Sequence, residues 1–398
     1  MNFPLPKTVE YIISTLEGAG YRADVVGGSV RDFLLGKTPS DYDITTDATP
    51  DMTKEVFRHE RTIDTGIKHG TVGLYLDGEV YEITTHRVDG EYKDSRHPES
   101  VSFTTDIKED LARRDFTVNA MAFSPRFGIT DPFGGREDLE NQIIRAVGDP
   151  TLRFTEDALR ILRAVRFASV LGFEIEEKTA LALGEKADLL KNVSPERIWV
   201  ELKKTFVGKG AYRSISEFSH VLCSVIPSLD RMVLPEKQRF DSSGFEERFL
   251  SVFALSSDDP ASAFDTACRY LRTENYIRNF GVKVLSSLGK YDLQSKVSLT
   301  HLLRELGHHW GMVLVKLEVL LGADKDITSS FVNLINSAPC YDISKLEVNG
   351  NDILSLGVSG RGVGEILNRL LCAVIDEECS NNKERLLEYA GKLIDKQN

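Results

Sequence analysis

The chain of 398 residues is 41% hydrophobic and 28% charged, with 49 basic against 61 acidic residues and a net charge of −12. That length predicts roughly two to four domains of a soluble globular protein, and no apolar run reaches membrane-span length nor does MNFPLPKTVEYII carry a signal-peptide pattern, so a cytoplasmic protein without membrane partners is expected. Five cysteines without CxxC spacing argue against a disulfide framework or a zinc site, and the acidic balance excludes holding nucleic acid by bulk attraction, leaving a local basic stripe and shape as the means.

Val9, Ile12, Ile13 and Leu16 recur at helical spacing before Gly18 and Gly20, which predicts an amphipathic packing helix over 5–18. The next stretch, VVGGSVRDFLLGKTPSDYDIT, reads as a buried strand, a break at Gly27-Gly28-Ser29, a helix through Leu35, and a strand carrying Asp41 and Asp43. Alternate residues of a strand share a face, so the two carboxylates stand close and repel unless a cation lies between them. Mg²⁺ suits such a pair, because it binds through one or two carboxylates together with substrate phosphates. Gly28 lets backbone N–H groups approach an anion, and Arg31 in the first helical turn offers a fork for phosphate oxygens. A D-x-D is weak by itself; behind the glycine break and Arg31 it predicts a metal-nucleotide site.

Thr49-Pro50-Asp51 opens a helix reaching Arg58, and TVGLYLDGEVYEITTHR reads as two strands about an Asp77-Gly78 turn, with Glu82 on the second. Residues 87–103 are polar without an apolar period, which predicts a long loop. In LARRDFTVNAMAF, Phe116, Val118, Met121 and Phe123 fit the core, while the arginine pair is either a solvated lead-in or an arginine presented to a nucleotide. DPFGGREDLE reads as a tight turn before a short helix, with Asp131 and Asp138 stabilising the turn.

IIRAV is expected as a strand ending the first domain, and Thr155 as the N-cap of one long helix, EDALRILRAVRFASVLGF, with Glu156 and Asp157 in its first turn. Arg160, Arg163 and Arg166 follow at three-residue steps beside an apolar face. They form either a solvated face supported by a Glu156–Arg160 pair or a base-reading surface. C and A both present an exocyclic amine beside a ring-nitrogen acceptor, whereas U and G present a carbonyl beside a ring N–H. A carboxylate accepting from the amine and an arginine donating to the ring nitrogen would therefore admit C and A, and Asp157 with Arg160 has those chemistries. SPERIWVELKKTF fits a helix capped by Ser194, and beyond residue 210 the pattern is helical. His301, His308 and His309 lack a matching acidic ligand set, and Gly360 to Gly364 reads as a turn opening a helix, either an ordinary connection or a contact to an RNA phosphate.

The motifs GGSVRDFLLG with DYDI, then RRDFTVNAMAF, DPFGGREDLE, EDALRILRAVRFA and SPERIWVEL, occur in one order over roughly the first half of the chain. Together they resemble the class II branch of the DNA polymerase beta superfamily, the tRNA nucleotidyltransferase and poly(A) polymerase family. The resemblance implies an α+β fold: a polymerase beta-like head with a small mixed sheet over 1–148, a helical neck over 149–210, and a helical body and tail over 211–398 that bind tRNA. The implied activity is template-independent addition of CCA to the tRNA 3′ end from CTP and ATP, with two Mg²⁺ ions on Asp41 and Asp43 and with Glu82 as a third carboxylate. Arg114 would contact the nucleotide, with Asp115 and Asn119 near the ribose. The segment holding Glu156, Asp157 and Arg160 would serve as the amino-acid template, Arg163 and Arg166 would hold the base plane or phosphates, and Glu196 and Arg197 would brace it. The loop after Arg87 corresponds to one the family needs for the terminal A. An enzyme adding only A would carry the same motifs, a poly(A) polymerase would share the head, and a silent RNA-binding protein is disfavoured by the two aspartates.

Overall fold

The computed structural model describes residues 3–90 and 100–395, which divide into two compact units, Met1–Pro227 and Ser228–Asn398. In the first unit, helix α1 (Lys7–Gly18) buries Val9, Ile12, Ile13 and Leu16 against strand β1 (Ala23–Val26), whose four residues are all buried. Helix α2 (Gly28–Leu34) follows at once, then β2 (Asp43–Thr46) and α3 (Pro50–Val56), capped by the Thr49 hydroxyl. Strand β3 (Arg61–Gly66) precedes the hairpin of β4 (Thr71–Leu76) and β5 (Glu79–Thr85). The hairpin turns at Asp77 and Gly78, whose φ values of 51° and 89° are the paired positive angles of a tight two-residue turn.

The segment expected to be loop throughout is paired at both ends: β6 (Arg87–Asp89) and β7 (Val101–Phe103) form an antiparallel ladder, and residues 91–99 of that expected loop lie outside the described residues. Helix α4 (Ile107–Ala112) carries the chain to a 3-10 turn, Thr117–Asn119, then to β8 (Ala122–Ser124) and β9 (Gly128–Thr130). The sheet runs β3-β4-β5-β2-β1-β8-β9 and is mixed, because β2 pairs parallel with β5 while its other pairings are antiparallel. Helix α5 (Gly135–Glu140) follows the Asp131 turn, where the carboxylate accepts from Gly135 N and Arg136 N at 2.7 and 2.9 Å. Asp138 does something other than hold that turn: it accepts from the Thr117 hydroxyl at 2.6 Å and from Arg145, tying α5 to the 3-10 turn.

Strand β10 (Ile143–Ile144) pairs parallel with β11 (Glu174–Ile175), and the expected long helix between them is two helices. Helix α6 (Pro150–Glu156) starts at Asp149, whose carboxylate accepts from Thr151 N at 2.9 Å, with Pro150 in the first helical position. Thr155 is thus near the end of α6, not a cap. Asp157 is extended (φ −136°, ψ 102°), and α7 (Leu159–Leu171) begins after Ala158. After α8 (Glu177–Glu185), helix α9 (Pro195–Val207) packs Ile198, Leu202 and Phe206 against the buried face of α7, and α10 (Ala211–Glu217) and α11 (Ser219–Cys223) close the unit. Ser194 occupies the cap position of α9 without a side-chain capping bond.

The second unit is helical: α12 (Lys237–Asp241), α13 (Phe245–Ser256), α14 (Pro260–Leu271), α15 (Asn275–Ser286), α16 (Lys296–Leu321), α17 (Asp326–Asn336), α18 (Gly350–Leu354), α19 (Arg361–Ile375) and α20 (Lys383–Asp395). Phe249, Phe253 and Phe264 meet edge to face at 5.1–5.8 Å between α13 and α14. Gly360, with φ of 59°, follows α18 and opens α19, so the glycine segment is a turn leading into a helix. His301 bonds Asp376 at 2.7 Å, and among the described residues no three His, Cys, Asp or Glu side chains gather as a metal cluster. No helix among the described residues is long and apolar enough to cross a membrane.

The segment after α9 runs close against α7 at Gly208, where an added Cβ would lie 2.5 Å from the Ser169 carbonyl carbon and 2.6 Å from its oxygen. Backbone cannot yield as a side chain can, so Gly208→Ala is expected to destabilise the first unit by about 1–3 kcal/mol in chemical denaturation.

Candidate nucleotide site

Strand β1 delivers the chain to Gly27, whose φ of 74° turns it directly into α2. The absent side chain also makes room: a Cβ on Gly27 would sit 2.9 Å from Arg114 Nη1. Because Val26 pairs with Asp43 across the β1–β2 ladder, Asp43 stands beside this break. The strand starts at Asp43, so the expectation that both aspartates lie on it is corrected: Asp41 is exposed on irregular chain, accepting from the Ser40 hydroxyl at 3.2 Å. Loss of surrounding water pushes the Asp43 carboxyl above its ordinary pKa, Arg114 pulls it down, and Asp41 pushes it up again. That mutual repulsion is what a divalent cation between the two carboxylates would relieve. Glu82 is exposed on β5, one residue before the Ile83 that pairs with Ile44, and among the described residues it does not join Asp41 and Asp43 in a three-carboxylate cluster.

The opposite side of the site is a chain of hydrogen bonds. Arg31 donates to Asn119 Oδ1 at 2.6 Å, Asn119 Nδ2 donates to Asp115 Oδ1 at 3.2 Å, and Arg163 donates to Asp115 Oδ2 through Nε at 2.7 Å and Nη2 at 2.5 Å. Asp115 also accepts from Phe116 N at 2.8 Å. Burial alone would raise the Asp115 carboxyl, but Arg163 and Asn119 outweigh it and hold its pKa at about 2. Asp110, fully buried, accepts from Arg113 at 2.7 and 2.9 Å and stands 3.5 Å from Arg114, and these cations overcome its burial to lower its pKa.

The arginine stripe of α7 is not a solvated face. Arg160 is 8% exposed and donates to Glu156 at 2.7 Å, to Arg113 O at 2.8 Å and to Arg153 O at 3.2 Å. Arg166 pairs with Glu201 of α9 at 2.6 Å. Asp157 accepts from Leu159 N at 3.1 Å and from Arg197 of α9 at 3.2 Å. One concavity of about 360 Å³ gathers Gly28, Arg31, Asp43, Arg114, Asp157, Arg160 and Arg163, and with them Gly27, Asp115 and Asn119. Asp41, Glu82, Glu156 and Arg166 do not line it. Sequence reasoning passed over three participants: Arg113, Phe167, and the buried Asp110 that orders the arginine pair. The i,i+4 spacing of Asp110 and Arg114 was the available signal for the last.

Residues 23–145 match the family described as Poly A polymerase head domain, residues 172–221 one described as probable RNA and SrmB-binding site of polymerase A, and residues 246–390 one described as tRNA nucleotidyltransferase domain 2, putative. The chain is 36% identical to the CCA-adding enzyme of Bacillus pumilus over 98% of this chain and 97% of that protein. It is 35% identical to a CCA-adding enzyme of Listeria monocytogenes over 96% of each. Among solved structures, the Bacillus stearothermophilus CCA-adding enzyme in complex with CTP superposes with a TM-score of 0.80 at 29% identity, covering 100% of this chain and 99% of that one.

Asp115 gains its low pKa on folding, from an ordinary 3.8 to about 2, so folding favours the ionised form. Its contribution is complete above about pH 4 and disappears as pH falls toward about pH 2. Asp115→Asn is expected to remove that acid-sensitive share. At neutral pH it should cost about 2–3 kcal/mol, less than a fully buried pair because Arg163 keeps part of its side chain in water. Urea titrations of both proteins at pH 7 and pH 3 check this.

Proposed function

Because the chain belongs to the tRNA nucleotidyltransferase and poly(A) polymerase family, along its whole length, we propose that it adds CCA to tRNA 3′ ends from CTP and ATP without a nucleic-acid template. The observation that carries the reading is one concavity lined both by the glycine break with Asp43 and Arg31 and by Asp157, Arg160 and Arg163. In this reading 1–148 is the catalytic head, 149–210 the base-selecting neck, and 211–398 the body and tail that bind tRNA.

The tRNA 3′-hydroxyl attacks the α-phosphorus and gives up its proton to solvent, the bond from the α-phosphorus to the oxygen bridging to the β-phosphate breaks, and pyrophosphate leaves. Asp41 and Asp43 would hold Mg²⁺, which when bound lowers the pKa of the attacking hydroxyl and neutralises charge on the leaving oxygens. The backbone at Gly27 and Gly28 approaches the triphosphate where no side chain intervenes, and Arg31, fixed by Asn119 and Asp32, presents its remaining donors to phosphate oxygens. Glu82 would act from the neighbouring strand as a supporting carboxylate.

Base choice follows from donors left over. Arg160 has five N–H groups, and three acceptors fix it, which leaves two for a ring nitrogen. Asp157, steadied by Arg197, accepts from the exocyclic amine of C or A and meets a carbonyl in U or G. Glu156 acts through Arg160 by holding its guanidinium still, and Arg163 and Arg114 enclose the nucleotide. Arg166, paired with Glu201 and off the concavity, supports α7 and does not hold the base.

With tRNA lacking its end, tRNA-C and tRNA-CC as acceptors, labelled CTP is expected to enter the first two and ATP the third. Incorporation of ATP alone would reassign the chain to A addition. Asp43→Ala should reduce transfer by at least about 10³-fold without moving the thermal midpoint. Asp157→Ala should cut discrimination against UTP by about 10–100-fold, measured as the ratio of kcat/KM values for CTP and UTP.

A further inference from the structure

Phe167, 6% exposed on α7, lines the concavity, and three guanidinium groups surround its ring. The central carbon of Arg166 is 4.0 Å from the ring centroid, and those of Arg31 and Arg163 are each 5.3 Å away. Phe116 braces the ring from the core, edge to face at 5.7 Å and 78°. Arg31 comes from α2 and the other two cations from α7, so the ring is the point at which arginines of two separate elements converge. Each cation has its own carboxylate, Asp32, Asp115 or Glu201. Those pairs fix one edge of each guanidinium and leave the three mutually repelling groups close together. Burial lowers the proton affinity of Arg166; Glu201 and Asp115 raise it in part, and Arg163 and Arg31 lower it again. An aliphatic side chain would fill the volume without answering this repulsion, whereas the negative face of an aromatic ring attracts each cation.

We propose that Phe167 is a positioning residue for nucleotide binding, whose ring face holds Arg31 on the phosphate side and Arg163 on the base side in one fixed arrangement. The inference rests on the nucleotide-transfer reading above and adds that the preorganisation is electrostatic. Packing alone would be satisfied by any apolar side chain of that size; a ring-face role requires the quadrupole.

The test is direct binding of CTP to the full chain, with steady-state kinetics on tRNA-C, for wild type, F167L and F167Y. F167L is expected to bind CTP about tenfold more weakly, with KM for CTP raised by a similar factor and kcat changed less than about twofold. F167Y, which keeps the ring, should stay within about twofold of wild type. Because F167L could lose stability, a second series replaces Phe167 by mono-, di- and trifluorophenylalanine, which weaken the ring's negative face at nearly constant shape. CTP affinity should then fall stepwise with each fluorine. Undiminished affinity in folded F167L, or a flat fluorine series, overturns the inference. Failure of the wild-type chain to bind CTP overturns the nucleotide-transfer reading instead.

Discussion

The contact on which the rest depends is the ion pair between Asp115 and Arg163. Asp115 follows α4 in the sheet-bearing part of the chain, and Arg163 lies at the middle of α7, so their two-point hydrogen bond fixes the arginine helix to the strands that carry the glycine break and Asp43. Asn119 extends the same bond to Arg31 and α2. A buried carboxylate without such partners would take up a proton or turn toward water. With them it stays ionised and becomes the reference point from which both sides of the concavity are set.

The same contact resolves an apparent conflict of charge. A chain with a net charge of −12 encloses a pocket lined by five arginines besides Arg31. Carboxylates at Asp110, Asp115, Glu156 and Asp157 sit among these cations and neutralise them locally, so the folded chain keeps the arginines close without leaving them wholly unanswered. Guanidinium is suited to this arrangement, because its five donors let it satisfy a carboxylate and still face the cavity. Lysine in those places would have one charge centre to divide between the same tasks.

The sheet-bearing part of the fold was legible where local chemistry had no competitor. The apolar spacing of α1, the Asp77-Gly78 turn and the Gly27-Gly28 break are each set by residues close together in the sequence, and the motif series named the family. The arginine stripe was harder. Three-residue spacing is shared by a solvated face and a buried one, and only the carboxylates brought up by distant parts of the chain, Asp115 and Glu201, decide between them. The missed break at Asp157 has a similar cause. Thr155 followed by acidic residues imitates a helix start, and the true cap at Asp149-Pro150 lies six residues earlier in a stretch read as domain boundary. Asp138 misled in the same way, since its partners, Thr117 and Arg145, lie outside its own turn.

The extended residue between α6 and α7 separates two settings that an unbroken helix would lock together. In continuous helix each residue is rotated by a fixed angle of about 100° from the last, so redirecting a carboxylate at 157 would drag every arginine after it. Here the direction of Asp157 is governed by Arg197 on α9, while the heading of Arg163 is governed by Asp115. The acidic and basic components of the pocket can therefore be tuned separately, by drift in α9 on one side and in the segment after α4 on the other, without rethreading the helix that joins them.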